Sequence, residues 1–96
     1  MPKQPAVYIL ATKLHGTMYI GATSELIQRT WQHKEHFIDG FTKRYGITRL
    51  VWFEMHETME GAITREKQLK KWKRDWKIHL VEETNPRWDD LYEQIV

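Results

Sequence analysis

Short apolar segments and longer segments of mixed polarity follow one another along this chain of 96 residues. Residues 6–11 and 17–22 are rich in β-branched and aromatic side chains, and a polar turn that ends in Gly16 separates them. This pattern predicts a β-hairpin. Residues 49–54 (RLVWFE) have a similar composition and predict a third strand.

Helical patterns fill most of the remaining chain. Ser24 is placed to cap the first helix, Asp39 and Gly40 to end it, and Asn85 to cap the last helix. Three antiparallel strands with helices that do not alternate with them indicate one α+β domain over residues 1–96, a three-stranded antiparallel sheet flanked by helices. Helices are predicted over residues 24–38, 59–76 and 86–94.

The hairpin is expected to place two tyrosines on one face of the sheet. Because side chains alternate along a strand, an even loop without a bulge sets Tyr8 opposite Gly21 and Tyr19 opposite Leu10. Gly21 then leaves room beside the Tyr8 ring. A cross-strand aromatic cluster is the commoner reason for such a pair, so the tyrosines alone do not establish a functional site.

The first predicted helix combines an apolar arc with a polar strip on one flank. At about 100° per residue the apolar arc covers about 140°, and this arc is predicted to face the core. Arg29, His33 and His36 form the strip, and a guanidinium with two imidazoles suggests a site for phosphate or another anion. The ordinary polar face of a surface helix is the alternative. The arc consists of Leu26, Ile27, Thr30, Trp31, Phe37 and Ile38.

The long predicted helix carries one acid in an unexpected position. Glu66 falls between Ala62 and Ile63 in the arc that faces inward. An inward-facing carboxylate costs several kcal/mol unless it is paired or binds a cation. A cation site, an internal pair with Lys70 or Lys73, and a position at the end of the sheet that reaches water all remain open.

Charge is spread unevenly although the formal net charge is only +2. Residues 65–77 contain seven Lys or Arg and two acids, a local charge of +5, whereas residues 82–96 contain five acids and one Arg, a local charge of −4. A basic segment beside aromatic residues suggests nucleic-acid binding, and a solvated helix face is the alternative.

Cysteine is absent, and no apolar run approaches the roughly 18 residues of a membrane span. Thiolate chemistry is therefore excluded, and we expect a cytoplasmic protein without membrane contact.

The combined pattern resembles the GIY-YIG nuclease superfamily, and in particular its small stand-alone bacterial members. The two half-motifs are AVY at residues 6–8 and YIG at residues 19–21, with ten residues between the tyrosines. Arg29 follows on the next helix, and His33 lies one turn further. Alanine and valine replace the glycine and isoleucine of the first half-motif. Four further segments extend the similarity over nearly the whole chain: FTKRY (41–45), LVWFE (50–54), REKQLKKWKR (65–74) and NPRWDDLY (85–92).

The resemblance implies an endonuclease that hydrolyses DNA phosphodiester bonds with one divalent metal ion, Mg²⁺ or Mn²⁺. By the family's motif, Glu66 holds the metal, Arg29 supports the scissile phosphate and His33 belongs to the active site. Tyr8 and Tyr19 match the paired tyrosines, of which one positions and one helps to deprotonate water, and the sequence leaves open which is the base. Basic side chains are expected to hold DNA phosphates around the site: Lys43, Arg44, Lys67, Lys70, Lys71 and Arg74.

Other classes of function remain as alternatives. A nucleic-acid-binding module that keeps the fold without catalysis has no need of the two tyrosines, the arginine and the glutamate together. The acidic tail over residues 88–92 either binds a partner or packs against the domain, and recruitment by a larger protein is compatible with the small size. Trp72 and Trp76 either stack on unpaired bases or pack in the core, which their arc favours. The expected substrate is structured or single-stranded DNA in repair or recombination, with RNA as a second possibility.

Overall fold

A computed structural model describes residues 4–38 and 40–96. The strand over residues 6–11 lies between the other two strands in an antiparallel sheet, which confirms the predicted fold class. No helix in the described ranges is long and apolar enough to cross a membrane. The elements in chain order are β1 (Ala6–Ala11), β2 (Met18–Thr23), α1 (Leu26–Lys34), α2 (Phe41–Tyr45), β3 (Arg49–Met55), α3 (Met59–Lys71), α4 (Arg74–Thr84) and α5 (Tyr92–Ile95).

The hairpin has the predicted register. Tyr8 pairs with Gly21 and Tyr19 pairs with Leu10, so both tyrosines lie on the same face of the sheet. On the other side of β1, strand β3 shifts its register next to Leu10.

Both faces of the sheet are covered, and each side has its own apolar cluster. One cluster joins β1 to α3, α4 and the C-terminal segment. The other joins β1 to α1 and the start of β3, and it contains Tyr8. The first cluster includes Val7, Ile9, Ile20, Leu69, Val81 and Trp88. The second consists of Ala6, Tyr8, Leu10, Leu26, Ile47 and Leu50.

Helix α1 is shorter than the sequence predicts. Its N-cap is Glu25 rather than Ser24, and no side chain caps this end. The Thr23 hydroxyl instead accepts a hydrogen bond from the Glu25 amide at 3.0 Å, which fixes the entry to the helix. The helix ends at Lys34. The predicted stop at Asp39 lies outside the described residues.

The predicted helix over 59–76 ends too late. Helix α3 stops at Lys71, and two residues separate it from the start of α4 at Arg74. Trp72 and Lys73 are both extended, with ψ angles of 148° and 153°. Trp72 packs against the core cluster there, so the tertiary contact outweighs the helical preference of the segment.

The predicted helix over 86–94 begins too early, since α5 begins only at Tyr92. Helix α4 continues to Thr84, and Asn85 is its C-cap rather than the N-cap of a following helix. Pro86 disfavours helical backbone at the residue before it, which accounts for the end of α4. The buried Asn85 amide group donates to the carbonyls of Val51 at 3.0 Å and Asp89 at 2.9 Å. This asparagine therefore holds the C-terminal segment against β3.

The acidic C-terminal tail packs against the domain. Trp88 is fully buried, and its indole nitrogen donates to Glu82 at 3.0 Å. The Leu91 amide donates to the Leu50 carbonyl at 2.7 Å. Of the two explanations of this tail, packing is the one present in the structure.

Candidate functional site

Three of the predicted site residues meet on the α1 side of the sheet. The ring centroids of Tyr8 and Tyr19 are 6.4 Å apart, and the His33 ring lies 6.1 Å from the first and 5.5 Å from the second. Tyr8 is 2% exposed and His33 is 4% exposed. The hairpin and α1 together thus form a compact ring cluster.

A chain of hydrogen bonds runs through this cluster. The Tyr8 hydroxyl lies 3.3 Å from His33 Nε2, and His33 Nδ1 lies 3.0 Å from the Thr42 hydroxyl. Thr42 is itself 4% exposed, on α2. No pattern in the sequence singles out this threonine, because its contact with His33 depends on where α2 lies relative to α1.

The glycine of the second half-motif makes room for the Tyr8 ring. A Cβ atom on Gly21 would lie 2.5 Å from the Tyr8 hydroxyl oxygen and 2.6 Å from its Cζ. These separations are too short for any side chain, so a residue other than glycine displaces the ring or the strand. The predicted space beside Tyr8 is confirmed.

Burial controls the protonation of the cluster. It lowers the pKa of His33 from 6.5 to about 4, and the positive charge of Arg29 lowers it further. Burial also raises the pKa of Tyr8, with added effects from Tyr19 and Glu66, while Arg29 opposes the shift. At neutral pH the imidazole is therefore neutral and the phenol is protonated. Arg29 lowers the pKa of Tyr8, but by less than burial raises it.

Arg29 lies on the exposed side of the cluster. Its charge acts on both Tyr8 and His33, yet within residues 4–38 and 40–96 its guanidinium makes no hydrogen bond or ion pair. An exposed guanidinium next to a buried neutral pair is suited to a phosphate group that approaches from solvent.

Glu66 reaches the same region from α3, which packs against β1 and β2. Its side chain is 19% exposed, and its Oε1 atom lies 3.4 Å from the ammonium group of Lys70. An ion pair with a side chain that is 52% exposed contributes little to stability. The pair between Glu66 and Lys70, one of the alternatives for this acid, is therefore present. The Glu66 carboxylate also acts electrostatically on Tyr8.

The donor groups fit a divalent ion that binds together with substrate. In the described part of the chain, no group of three or more His, Cys, Asp or Glu side chains is placed to hold a metal. Glu66 is thus a single carboxylate whose charge acts on the Tyr8 phenol. Mg²⁺ commonly binds through one or two carboxylates, with water and substrate phosphate oxygens as its other ligands.

The buried face of α1 differs from the predicted arc. Leu26, Thr30 and His33 are buried, whereas Ile27, Trp31 and Phe37 are 42%, 44% and 68% exposed. The polar groups of the buried face have partners within the protein, since the Thr30 hydroxyl donates to the Leu26 carbonyl at 2.8 Å. Satisfied polar groups can be buried at little cost, and this permits the rotation of the helix.

The predicted strip on α1 is reduced to two residues. His36 lies beyond the end of the helix, with a φ angle of 58°. Arg29 and His33 remain on α1 and point toward the ring cluster.

The basic residues expected to bind DNA fall into three groups. The lysines of α3 are exposed, and the two basic residues of α2 belong to a short helix. Arg74 lies on α4 instead, and its guanidinium donates to the carbonyls of His15 and Gly16 in the hairpin turn. The groups are Lys67, Lys70 and Lys71 on α3, Lys43 and Arg44 on α2, and Arg74 on α4.

The two tryptophans of the basic segment have different surroundings. Trp72 is partly buried against the core, as its position in the arc favours. Trp76 is 58% exposed on α4, so its predicted core packing is wrong.

Comparison with known proteins agrees with the geometry. A family model described as the GIY-YIG catalytic domain matches residues 4–79. A UPF0213 protein of Clostridium perfringens is 30% identical over 93% of this chain and 95% of its own length. UPF0213 proteins of Syntrophus aciditrophicus and Staphylococcus aureus are 32% and 31% identical, over 84% and 80% of this chain and 93% of each relative. No solved structure gives a significant match.

Proposed function

Because the chain belongs to the GIY-YIG family, a nuclease superfamily, we propose that it is an endonuclease that hydrolyses DNA phosphodiester bonds with one Mg²⁺ or Mn²⁺ ion. Branched or single-stranded DNA, of the kind that arises in repair and recombination, is the proposed substrate. The observation that carries the proposal is the buried hydrogen bond of 3.3 Å between Tyr8 and His33, with Arg29 and Glu66 acting electrostatically on the same phenol. A module that only binds nucleic acid has no use for this buried pair.

The charges around the cluster suit attack on a phosphodiester. Negative charge accumulates on the phosphate oxygens as the bond to water forms. The exposed guanidinium of Arg29 can bind those oxygens and stabilise the added charge. A bound Mg²⁺ or Mn²⁺ ion, held by Glu66, would supply further charge neutralisation at the phosphate.

Tyr8 and His33 provide a route for the proton of the attacking water. When Nδ1 of the neutral imidazole carries its hydrogen toward Thr42, Nε2 is free to accept the Tyr8 proton. Water then transfers a proton to the Tyr8 oxygen as the phenol proton moves to Nε2. The new bond from water oxygen to phosphorus forms, the bond to the leaving oxygen breaks, and that oxygen takes a proton from solvent.

The substrate itself favours this transfer. His33 alone is a weak base, since its pKa is about 4 in the free protein. A phosphate group beside the imidazole adds negative charge, which favours the protonated ring and raises its pKa. Arg29, which lowers the pKa of His33 in the free protein, is partly neutralised by the same phosphate.

The proposal is tested with the wild type and Glu66→Gln on branched, single-stranded and duplex DNA, in Mg²⁺, Mn²⁺ or EDTA. We expect cleavage by the wild type with either metal and at least about a hundredfold slower cleavage by the variant, because the amide is a poor metal ligand. DNA binding, measured separately in EDTA, should be retained in both proteins.

Glu60→Gln is the matched control, since this exposed acid lies in the first turn of the same helix. It should cleave like the wild type. Equal cleavage by Glu66→Gln and the wild type would remove Glu66 from the mechanism. Absence of metal-dependent cleavage on every substrate, with binding intact, would favour a binding module instead.

A further inference from the structure

Exposed aromatic side chains are concentrated in one stretch of the chain. Five are exposed within residues 4–38 and 40–96, and four of these lie between residues 31 and 45. The fifth, Trp76, lies on α4. A cluster of exposed rings is typical of a binding surface rather than of an ordinary solvated face. The four are Trp31, Phe37, Phe41 and Tyr45, with 44%, 68%, 50% and 52% of their surface exposed.

Helix α2 connects this surface to the candidate site. Its Thr42 side chain points inward and contacts His33 Nδ1 at 3.0 Å. Phe41 and Tyr45, one helical turn apart, lie together with ring centroids at 4.9 Å and planes inclined by 52°. A helix of five residues is only about 7.5 Å long, so the paired rings lie close to the residue that holds His33.

The charge of this region suits a polyanion. Helix α2 contains two basic residues, Lys43 and Arg44, and no acidic residue. The Arg44 guanidinium lies over the Tyr45 ring, 5.5 Å from its centroid. Aromatic faces combined with cations that follow the backbone are the usual means by which proteins bind single-stranded nucleic acids.

We infer that Phe41 and Tyr45 form a stacking site for unpaired nucleobases beside the catalytic cluster. The inference rests on the proposed function for the nature of the ligand, and it adds the substrate class: a strand with unpaired nucleotides next to the scissile phosphate. Bases inside a duplex are already stacked and paired, so their faces are not available to the two rings.

The binding test uses the full chain in EDTA, where cleavage does not interfere. Affinity is measured by fluorescence anisotropy for a labelled single strand of about 16 nucleotides and for the duplex of the same sequence. Phe41→Ala and Tyr45→Ala should each weaken single-strand binding roughly tenfold and duplex binding less than twofold. A ribose strand of the same sequence should show the same loss, because ring faces do not read the sugar.

Conservative and control variants separate stacking from a loss of structure. Phe41→Tyr and Tyr45→Phe keep the rings and should bind the single strand within about twofold of the wild type. Phe41→Leu keeps apolar bulk without an aromatic face and should weaken binding like Phe41→Ala. Leu14→Ala removes an apolar side chain of the hairpin turn that is 50% exposed, like Phe41, and should have no effect.

Salt dependence gives an independent measurement. Stacking involves no counterion release, so Phe41→Ala should leave the slope of log affinity against log salt unchanged. Arg44→Ala should reduce that slope by about 1, because it removes one phosphate contact.

The outcomes distinguish the inference from the proposed function. Single-strand binding that depends on Phe41 and Tyr45, without cleavage of any substrate in Mg²⁺, would contradict the proposed nuclease and leave the stacking site standing. If the wild type cleaves DNA but Phe41→Ala and Tyr45→Ala bind the single strand as tightly as the wild type does, the stacking site alone would be overturned. That result would point to a protein partner for the rings. An equal loss in Leu14→Ala, or an equal loss on duplex, would also overturn it.

Discussion

Two histidines in this domain contact aromatic rings, and their surroundings differ. His33 lies between Tyr8 and Tyr19, is 4% exposed, and has hydroxyl groups as its hydrogen-bond partners. His15 lies in the hairpin turn, with its ring perpendicular to Trp88 at 5.4 Å. Its side chain is 55% exposed and its Nε2 atom lies 2.7 Å from the Glu82 carboxylate.

The difference lies in whether a carboxylate completes the cluster. Hydrogen bonds from His15 and from Trp88 lower the pKa of Glu82, so the charge in this second cluster is already matched by its neighbours. In the cluster around Tyr8 and His33, burial favours the uncharged form of both side chains. The cluster of His15, Glu82 and Trp88 ties the hairpin turn to the C-terminal segment. The cluster of Tyr8 and His33 remains able to respond to a charged ligand.

The largest effect on stability is expected at Gly21, in the cluster of Tyr8. Gly21→Ala places a Cβ atom 2.5 Å from the Tyr8 hydroxyl and must displace the ring. We expect a loss of about 1–3 kcal/mol in the free energy of unfolding, measured with urea, and slower DNA cleavage. A variant with unchanged stability and rate would show that the ring does not depend on its contact with this glycine.

The two clusters should lose stability in different pH ranges. The pKa of His33 is about 4 when folded against an ordinary 6.5, so the unfolded chain binds the proton first as pH falls. Its contribution to stability is complete above pH 6.5 and declines from there toward pH 4. The pKa of Glu82 is lowered from 4.5, so its contribution is lost only at more acidic pH.

This difference is measured as the free energy of unfolding at a series of pH values. His33→Gln should flatten the decline between pH 6.5 and 4, and Glu82→Gln should leave that range unchanged. Parallel curves for His33→Gln and the wild type across this range would mean that His33 does not titrate as its burial requires.

The smallest expected effects separate the basic side chains of the two regions. Lys70→Ala and Lys71→Ala on α3 should each weaken DNA binding and reduce the salt slope by about 1. Arg74→Ala should instead lower the midpoint of thermal unfolding, because its guanidinium donates to two carbonyls of the hairpin turn. A salt slope that does not change in the lysine variants would exclude α3 from the DNA contact.

The sequence predicts the hairpin side of the site well, because the register depends on local geometry. The pairing of Tyr8 with Gly21 follows from the alternation of side chains and the length of the turn. The face of α1 is predicted only in part: Leu26 and Thr30 are buried as expected, but periodicity ranks the apolar Trp31 above His33 for burial. His33 is buried because Tyr8 and Thr42 satisfy its ring nitrogens, and Thr42 comes from a short helix that local pattern does not reveal.

The C-terminal half was less predictable for the same physical reason. The segment 59–76 has the composition of one continuous helix, and the break at Trp72 depends on packing against a distant part of the chain. Asn85 was read as a helix start because capping residues occur at both helix ends. One of its buried hydrogen bonds joins it to Val51, which is far away in the sequence. The other joins it to Asp89, which lies in a segment without regular secondary structure.

The most direct test of the contrast between the clusters compares Tyr8→Phe with Glu82→Gln in single-turnover cleavage and in urea unfolding. Tyr8→Phe removes only the hydroxyl that lies 3.3 Å from His33 Nε2. We predict at least about a hundredfold slower cleavage, with a loss of about 1–3 kcal/mol in unfolding free energy because His33 Nε2 loses its buried partner, whereas Glu82→Gln loses stability and keeps the rate. Cleavage by Tyr8→Phe at the wild-type rate would contradict the assignment of the buried pair to catalysis.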